Sequence, residues 1–254
     1  MMSLDNPLID SAPLAKEKET LKSSAVSISS TETAETLIDT PGSFIPGRSL
    51  LIDARGKALL RLPTPPSQLE IHIYNSDGSL AYVSTRKKRF SGNSTLSSPE
   101  RGEIIFTEYF CGPSREPFIH LLNASEKSSP QMKAQGKYTS RTTNFSAPDG
   151  SAFEWRYVKE RGPDGKKEKF VVLEKLEVAG RRRVAHLLRN KQTMPPKTSR
   201  CTAGNGGELV FDQHASEVID EALIVATCLL MLKKETDRQR ALQAFVLFAG
   251  VAGS

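Results

Sequence analysis

The chain has 254 residues, 38% of them hydrophobic, and its 35 Lys and Arg against 29 Asp and Glu leave a formal charge of +6. So low an apolar share points to a segment lying outside any packed core. Cys111, Cys201 and Cys228 lack metal-ligand spacing and are too few for a disulfide framework, so a reducing compartment is expected. The first twenty residues contain no apolar core and do not read as a secretory signal. A small secreted scaffold, a collagen-like fibre and a multi-span membrane protein are excluded.

Charge is unevenly placed. Residues 1–47 carry three basic and seven acidic side chains, a net of −4, so the rest of the chain stands at +10. The Ser/Thr-rich run Ser23–Thr40 lies in this acidic part. It has too little apolar surface to offset an ordering cost of roughly 1–2 kcal/mol per residue. Residues 1–47 are therefore expected to form a disordered arm, with Pro41-Gly42 and Pro46-Gly47 marking the start of a domain over 48–254.

From Ser49 the pattern is of strands and tight turns. Ser49–Ala54 and Lys57–Leu62 flank Arg55-Gly56, and Leu69–Asn75 alternates apolar and polar residues before Asp77-Gly78 and Leu80–Thr85, a hairpin signature. Arg89–Arg101 reads as a surface loop. Glu103–Phe110, Pro117–Leu122, Lys137–Phe145 and Ala152–Lys159 follow, the last with Phe153, Trp155 and Tyr157 on one face. Phe170–Leu176, Val184–Leu188 and Glu208–Phe211 complete about ten strands, and Ala203–Gly207 reads as a turn. An antiparallel barrel or sandwich is expected.

The end of the chain departs from this pattern. Ser216 is placed to cap a helix that continues through Ala222–Leu232, a run apolar on every side except at Thr227. A helix without a polar stripe is buried in protein or in lipid. Eleven residues fall short of the roughly 20 that a bilayer needs. The run is expected as a helix over 217–232, about 24 Å long, plugging a closed antiparallel β-barrel, with a separate apolar segment at Ala241–Ala252.

A barrel with an axial hydrophobic helix resembles the tubby C-terminal-like and LURP-one-related superfamily, in the form met in fungal proteins. The local texture that carries the resemblance is Leu59-Leu60-Arg61-Leu62-Pro63, Ile73-Tyr74-Asn75-Ser76-Asp77-Gly78, Phe153-Glu154-Trp155-Arg156-Tyr157 and Gly204-Asn205-Gly206-Gly207-Glu208-Leu209. The resemblance implies the barrel fold over about residues 48–250 and basic residues that bind phosphoinositides. The calcium-binding acidic clusters and cysteine runs of scramblases, which belong to the same superfamily, are absent, so scrambling is not expected.

Between Arg141 and Arg200 stand 15 basic and 7 acidic residues. Lys166, Lys167 and Lys169 follow one turn and Arg181, Arg182 and Arg183 follow another, and these six are the candidate ligand-binding residues. Cations on hairpin tips suit anionic lipid headgroups, at about 1 kcal/mol each near a negative bilayer. The same charges also protect sheet edges. Arg86-Lys87-Lys88-Arg89 before Ser91 suits a nuclear localisation signal, a kinase site or a solvated strand end.

Nothing points to catalysis. His72, His120, His186 and His214 have no metal spacing, no Gly-x-Ser-x-Gly elbow occurs, and Ala203–Gly207 lacks the Lys-Ser/Thr of a phosphate-cradling loop. The sequons at Asn93, Asn123 and Asn144 carry no weight without a signal. An all-apolar helix cannot read a nucleic-acid groove. The expected protein is thus a non-enzymatic module without cofactor or metal. It binds an anionic membrane lipid or, alternatively, acts as a protein-interaction scaffold. It is not transmembrane, and it is cytoplasmic, with membrane-peripheral and nuclear locations as alternatives.

Overall fold

The computed structural model describes residues 44–58, 68–88, 91–110, 116–122, 131–136, 140–161, 165, 167–196, 198 and 202–252, with backbone alone at Ala58, Arg161, Lys167 and 245–252. Residues 1–43 of the expected arm lie outside the described residues, as do Leu59–Pro63, Arg89, Cys111, Cys201 and Lys166.

Twelve strands form one antiparallel sheet: β1 (Pro46–Ala58), β2 (Glu70–Asn75), β3 (Leu80–Thr85), β4 (Ser94–Ser98), β5 (Gly102–Glu108), β6 (Phe118–Leu121), β7 (Gln131–Lys133), β8 (Thr143–Ser146), β9 (Ala152–Arg161), β10 (Lys167–Glu177), β11 (Gly180–Leu188) and β12 (Thr202–Asp212). Their order is β7-β6-β5-β4-β3-β2-β1-β12-β11-β10-β9-β8. The two outer members meet through one bridge, where Gln135 N donates to Asn144 O at 2.7 Å and Asn144 N to Gln135 O at 2.8 Å. That bridge turns the sheet into a nearly closed barrel and leaves little free edge.

The short helix α1 (Ala215–Val218) precedes α2 (Glu221–Ala252), which fills the ring. Every residue from Ala222 to Leu232 is buried, none more than 7% exposed. The strands supply the matching surface by alternation, with Ile71 and Ile73 of β2 and Phe153 and Trp155 of β9 all turned inward. Thr227, the polar exception in the run, is buried, and its hydroxyl accepts a hydrogen bond from Trp155 Nε1 at 2.9 Å. The same oxygen lies 2.9 Å from Leu223 O and 3.0 Å from Ile224 O, within its own helix. Both polar groups are thereby satisfied in a dry core.

Several expected boundaries move, each for a local reason. Arg55-Gly56 is a bulge within one long β1, where the step Ile52 to Arg55 faces the shorter step Gly207 to Asn205, and Gly56 takes φ 61°. β4 lies inside the expected loop Arg89–Arg101, and β7 falls where no strand is expected. The cap of α2 is Asp220 and not Ser216, since Asp220 Oδ1 accepts from Ala222 N at 2.7 Å and Leu223 N at 3.3 Å. The helix expected over 217–232 starts at Glu221 and runs unbroken through the apolar segment at 241–252. Among the described residues no helix is long and apolar enough to cross a membrane.

Ala203–Gly207 lies in the first half of β12, not in a turn. Its glycines let three neighbours approach. A Cβ on Gly206 would strike the Ile52 carbonyl of β1, and one on Gly207 the Leu188 carbonyl of β11. One on Gly204, at φ 71°, would collide with the Thr236 hydroxyl and lie 2.6 Å from Leu232 O of α2. Gly204→Ala is expected to cost about 3 kcal/mol, combining overpacking with left-handed backbone strain. Gly78→Ala, at φ 84° with open space around it, should cost only about 1 kcal/mol. Urea denaturation followed by the single tryptophan measures both. Thr227→Val should destabilise by about 1–3 kcal/mol by orphaning Trp155 Nε1, whereas Thr227→Ser should recover most of the loss.

Candidate functional site

β10 pairs along its length with β9 and β11, from Lys167↔Arg161 at one end to Glu177↔Gly180 at the other. The two groups of candidate residues therefore sit at opposite ends of this strand. Lys169 is exposed and faces Lys159 across the β9 pair, whereas Arg182 faces Lys175, roughly 20 Å further along. Lys167 opens β10. The five described candidates, Lys167, Lys169, Arg181, Arg182 and Arg183, do not form one patch.

The arginines of β11 are also neutralised. Arg181 Nη1 contacts Glu154 and lies 3.2 Å from Glu174 Oε2, while Arg156 holds Glu174 in a fork at 2.7 and 2.6 Å. Arg183 pairs with Glu160 and covers the Phe44 ring at 5.7 Å, and Arg182 lies 3.5 Å from Asp212. Burial alone pushes the Glu174 carboxyl up, but the hydrogen bonds from Arg156 and Arg181 more than reverse this and hold it below its usual range. Four arginines thus meet four carboxylates. The bidentate geometry belongs to a structural cross-strand network, which carries no excess charge for a ligand.

The excess gathers instead where α2 leaves the ring, beside the starts of β8 and β12 and the end of β11. Lys233 Nζ bridges both oxygens of buried Asp237 at 2.8 Å, and Arg240 lies 3.5 Å from the same carboxylate. Arg189 reaches Glu235 at 2.7 Å, and both Arg189 and Arg238 cover the Tyr157 ring, at 5.8 and 5.9 Å from its centroid. Arg238 also donates to Ser140 O, and Lys234 Nζ donates to Thr143 Oγ1 at 3.0 Å. Lys57, Arg86, Lys233 and Arg240 line a small cleft of about 50 Å³ with Gly56, Gly204 and Thr236. Arg86 Nε is buried in this wall without a hydrogen-bond partner.

Seven cations, Lys57, Arg86, Arg189, Lys233, Lys234, Arg238 and Arg240, are thus grouped with the carboxylates Glu235 and Asp237, and the Glu116 charge also reaches Lys234. Burial first, and then the Arg238 charge, pull the Lys234 ammonium down to about 8. Lys87 and Lys88 add exposed charge at the end of β3, and β9 ends and β10 begins at this same end. The sequence offered two local signals for this collar, the basic run Arg86-Lys87-Lys88 and Lys233-Lys234 directly after the apolar run. The convergence of Lys57, Arg86 and Arg189 on it depends on long-range strand pairing.

The histidines sit on separate elements, His72 on β2, His120 on β6, His186 on β11 and His214 ahead of α1. Among the described residues no group of three or more His, Cys, Asp or Glu is placed to hold a metal. Cys228 is fully buried, and burial pushes its thiol up to about 12, so it is inert in the folded state.

His186 packs between Phe44 and Phe170, with ring centroids 4.8 and 5.2 Å away, and its Nδ1 is buried without a partner. Burial first, then nearby Arg183, hold it at about 4, with Glu160 opposing. Its folded value lies below the ordinary 6.5, so the unfolded chain takes up the proton first as pH falls. The His186 contribution to stability is therefore complete above pH 6.5 and is lost progressively towards pH 4. The stability of His186→Phe should fall less steeply than that of the parent across this window in pH-resolved urea titrations.

No protein-family model matches the chain, and no curated protein and no solved structure shows significant similarity to it.

Proposed function

We propose that the protein is a non-enzymatic, tubby-like module that binds an anionic ligand, a phosphoinositide-type headgroup at a membrane surface, through the cationic collar around the exit of α2. The supporting observation is the grouping of seven cations, against Glu116, Glu235 and Asp237, at one barrel end. Lys169, with Lys167 at the start of β10, extends the same end. Arg181, Arg182 and Arg183 lie towards the opposite end and serve the sheet.

Cations grouped around a cleft with low-dielectric walls focus their field outwards and attract anions at range. The attraction weakens with salt, since the screening length falls from about 10 Å at 0.1 M to about 3 Å at 1 M. The apolar helix holds the collar in place, so ligand binding needs no refolding.

Flotation with phosphatidylcholine vesicles, with and without a phosphoinositide, tests the reading. Binding should require the phosphoinositide and decline with salt. At about 1 kcal/mol per cation, the triple variant Lys57→Ala, Lys87→Ala, Lys88→Ala should lose on the order of 100-fold in affinity. Arg181→Ala should leave binding intact and lower stability instead. Equal flotation with neutral vesicles, or none with either, contradicts the proposal and favours the protein-scaffold alternative.

A further inference from the structure

The barrel end opposite the collar is closed differently. α2 begins only at Glu221, and the short α1 precedes it at this end. A cavity of about 530 Å³ remains between β5, the end of β6, the β8–β9 turn and the α1–α2 junction. That is within the roughly 300–1,000 Å³ of small-molecule sites, and barrel mouths are a usual place for them.

Its walls divide by chemistry. Ile104, Ile105, Leu121, Ile219 and Leu223 form an apolar floor continuous with the core. Asp149, Glu217 and Asp220 stand on the lining against the single cation Arg101. Asp149 is held as a carboxylate by Ser151, whose N and Oγ donate at 2.9 and 2.8 Å. Glu217 is largely exposed, 3.3 Å from His214 Nδ1. The start of α2 favours an anion in principle. Asp220 already accepts from its first amides, and Glu221 is engaged by Tyr82 at 2.9 Å and Arg48 at 3.0 Å. The helix-end field is thus already answered, and the carboxylate excess decides the sign.

We propose that this cavity binds a small amphipathic cation, with its apolar chain or ring on the Ile104–Leu223 floor and its ammonium or amidinium head at Glu217 and Asp149. The site lies at the opposite end from the collar and does not depend on the anionic-surface reading.

Isothermal titration calorimetry of the full chain with octylammonium, octanoate and octanol tests it. Octylammonium should bind one-to-one and at least about 10-fold more tightly than octanoate, with octanol between them. Glu217→Gln with Asp149→Asn, substitutions on the exposed rim, should collapse the difference between amine and acid while keeping octanol binding. Ile104→Trp, which fills the cavity, should abolish all three. If it fails to fold, Leu121→Trp serves the same purpose. Absence of saturable binding by octylammonium, equal affinity for amine and acid, or binding unaffected in a folded, filled variant overturns the proposal.

Discussion

Eleven consecutive helical residues with no polar face must be kept from water on all sides. At about 1.5–3 kcal/mol for each large side chain, leaving Ala222–Leu232 exposed on even one side would cost an amount comparable with the typical net stability of a domain. One sheet face cannot cover the full circumference of a helix, but a ring of strands can. The twelve-strand order, the closing bridge between Gln135 and Asn144 and the inward alternation of β2 and β9 are all answers to that constraint. Trp155 and Thr227 set the rotation of the helix within the ring, because each is the other's partner in an otherwise apolar interior.

Enclosing the helix also places charge. α2 enters beside Asp149, Glu217, Asp220 and Glu221 and leaves among Lys233, Lys234, Arg238 and Arg240, so the two barrel ends carry opposite signs. Acids at its positive start complement the helix dipole, whereas the bases stand mid-helix, where the dipole has no share in placing them. The distribution also gives the barrel a direction. On the proposed reading, a negative surface would attract the collar while the opposite mouth faces away from it. Gly204 lets the two features coexist, since the strand bearing it touches α2 where the collar begins.

Elements governed by local rules were legible in the sequence: the Asp77-Gly78 hairpin, the alternation of Phe153, Trp155 and Tyr157, and the fully apolar run that implied a plug. Those governed by contacts across the ring were not. Gly204–Gly207 looks like a turn until the carbonyls of Ile52 and Leu188 and the body of α2 show why side chains are excluded there. Arg55-Gly56 looks like a hairpin turn, but pairing with β12 makes it a bulge. β7 is three residues long, too short for any period to show. At the candidate site the charge run from Arg141 to Arg200 was visible. Its cancellation by Glu154, Glu160, Glu174 and Asp212 was not, because the partners are brought together by strand register.

The account stands on the helix being sealed inside the ring, and Cys228 reports on this directly because it sits in the middle of the enclosed run at 0% exposure. In a Cys111→Ser, Cys201→Ser chain, the rate of Cys228 labelling by a thiol reagent across a urea series is the most direct measurement. The structure predicts no labelling in native buffer, with reactivity appearing only in step with the global unfolding seen by Trp155 fluorescence. Labelling in native buffer at the rate of an exposed thiol would contradict it and place the helix outside the barrel.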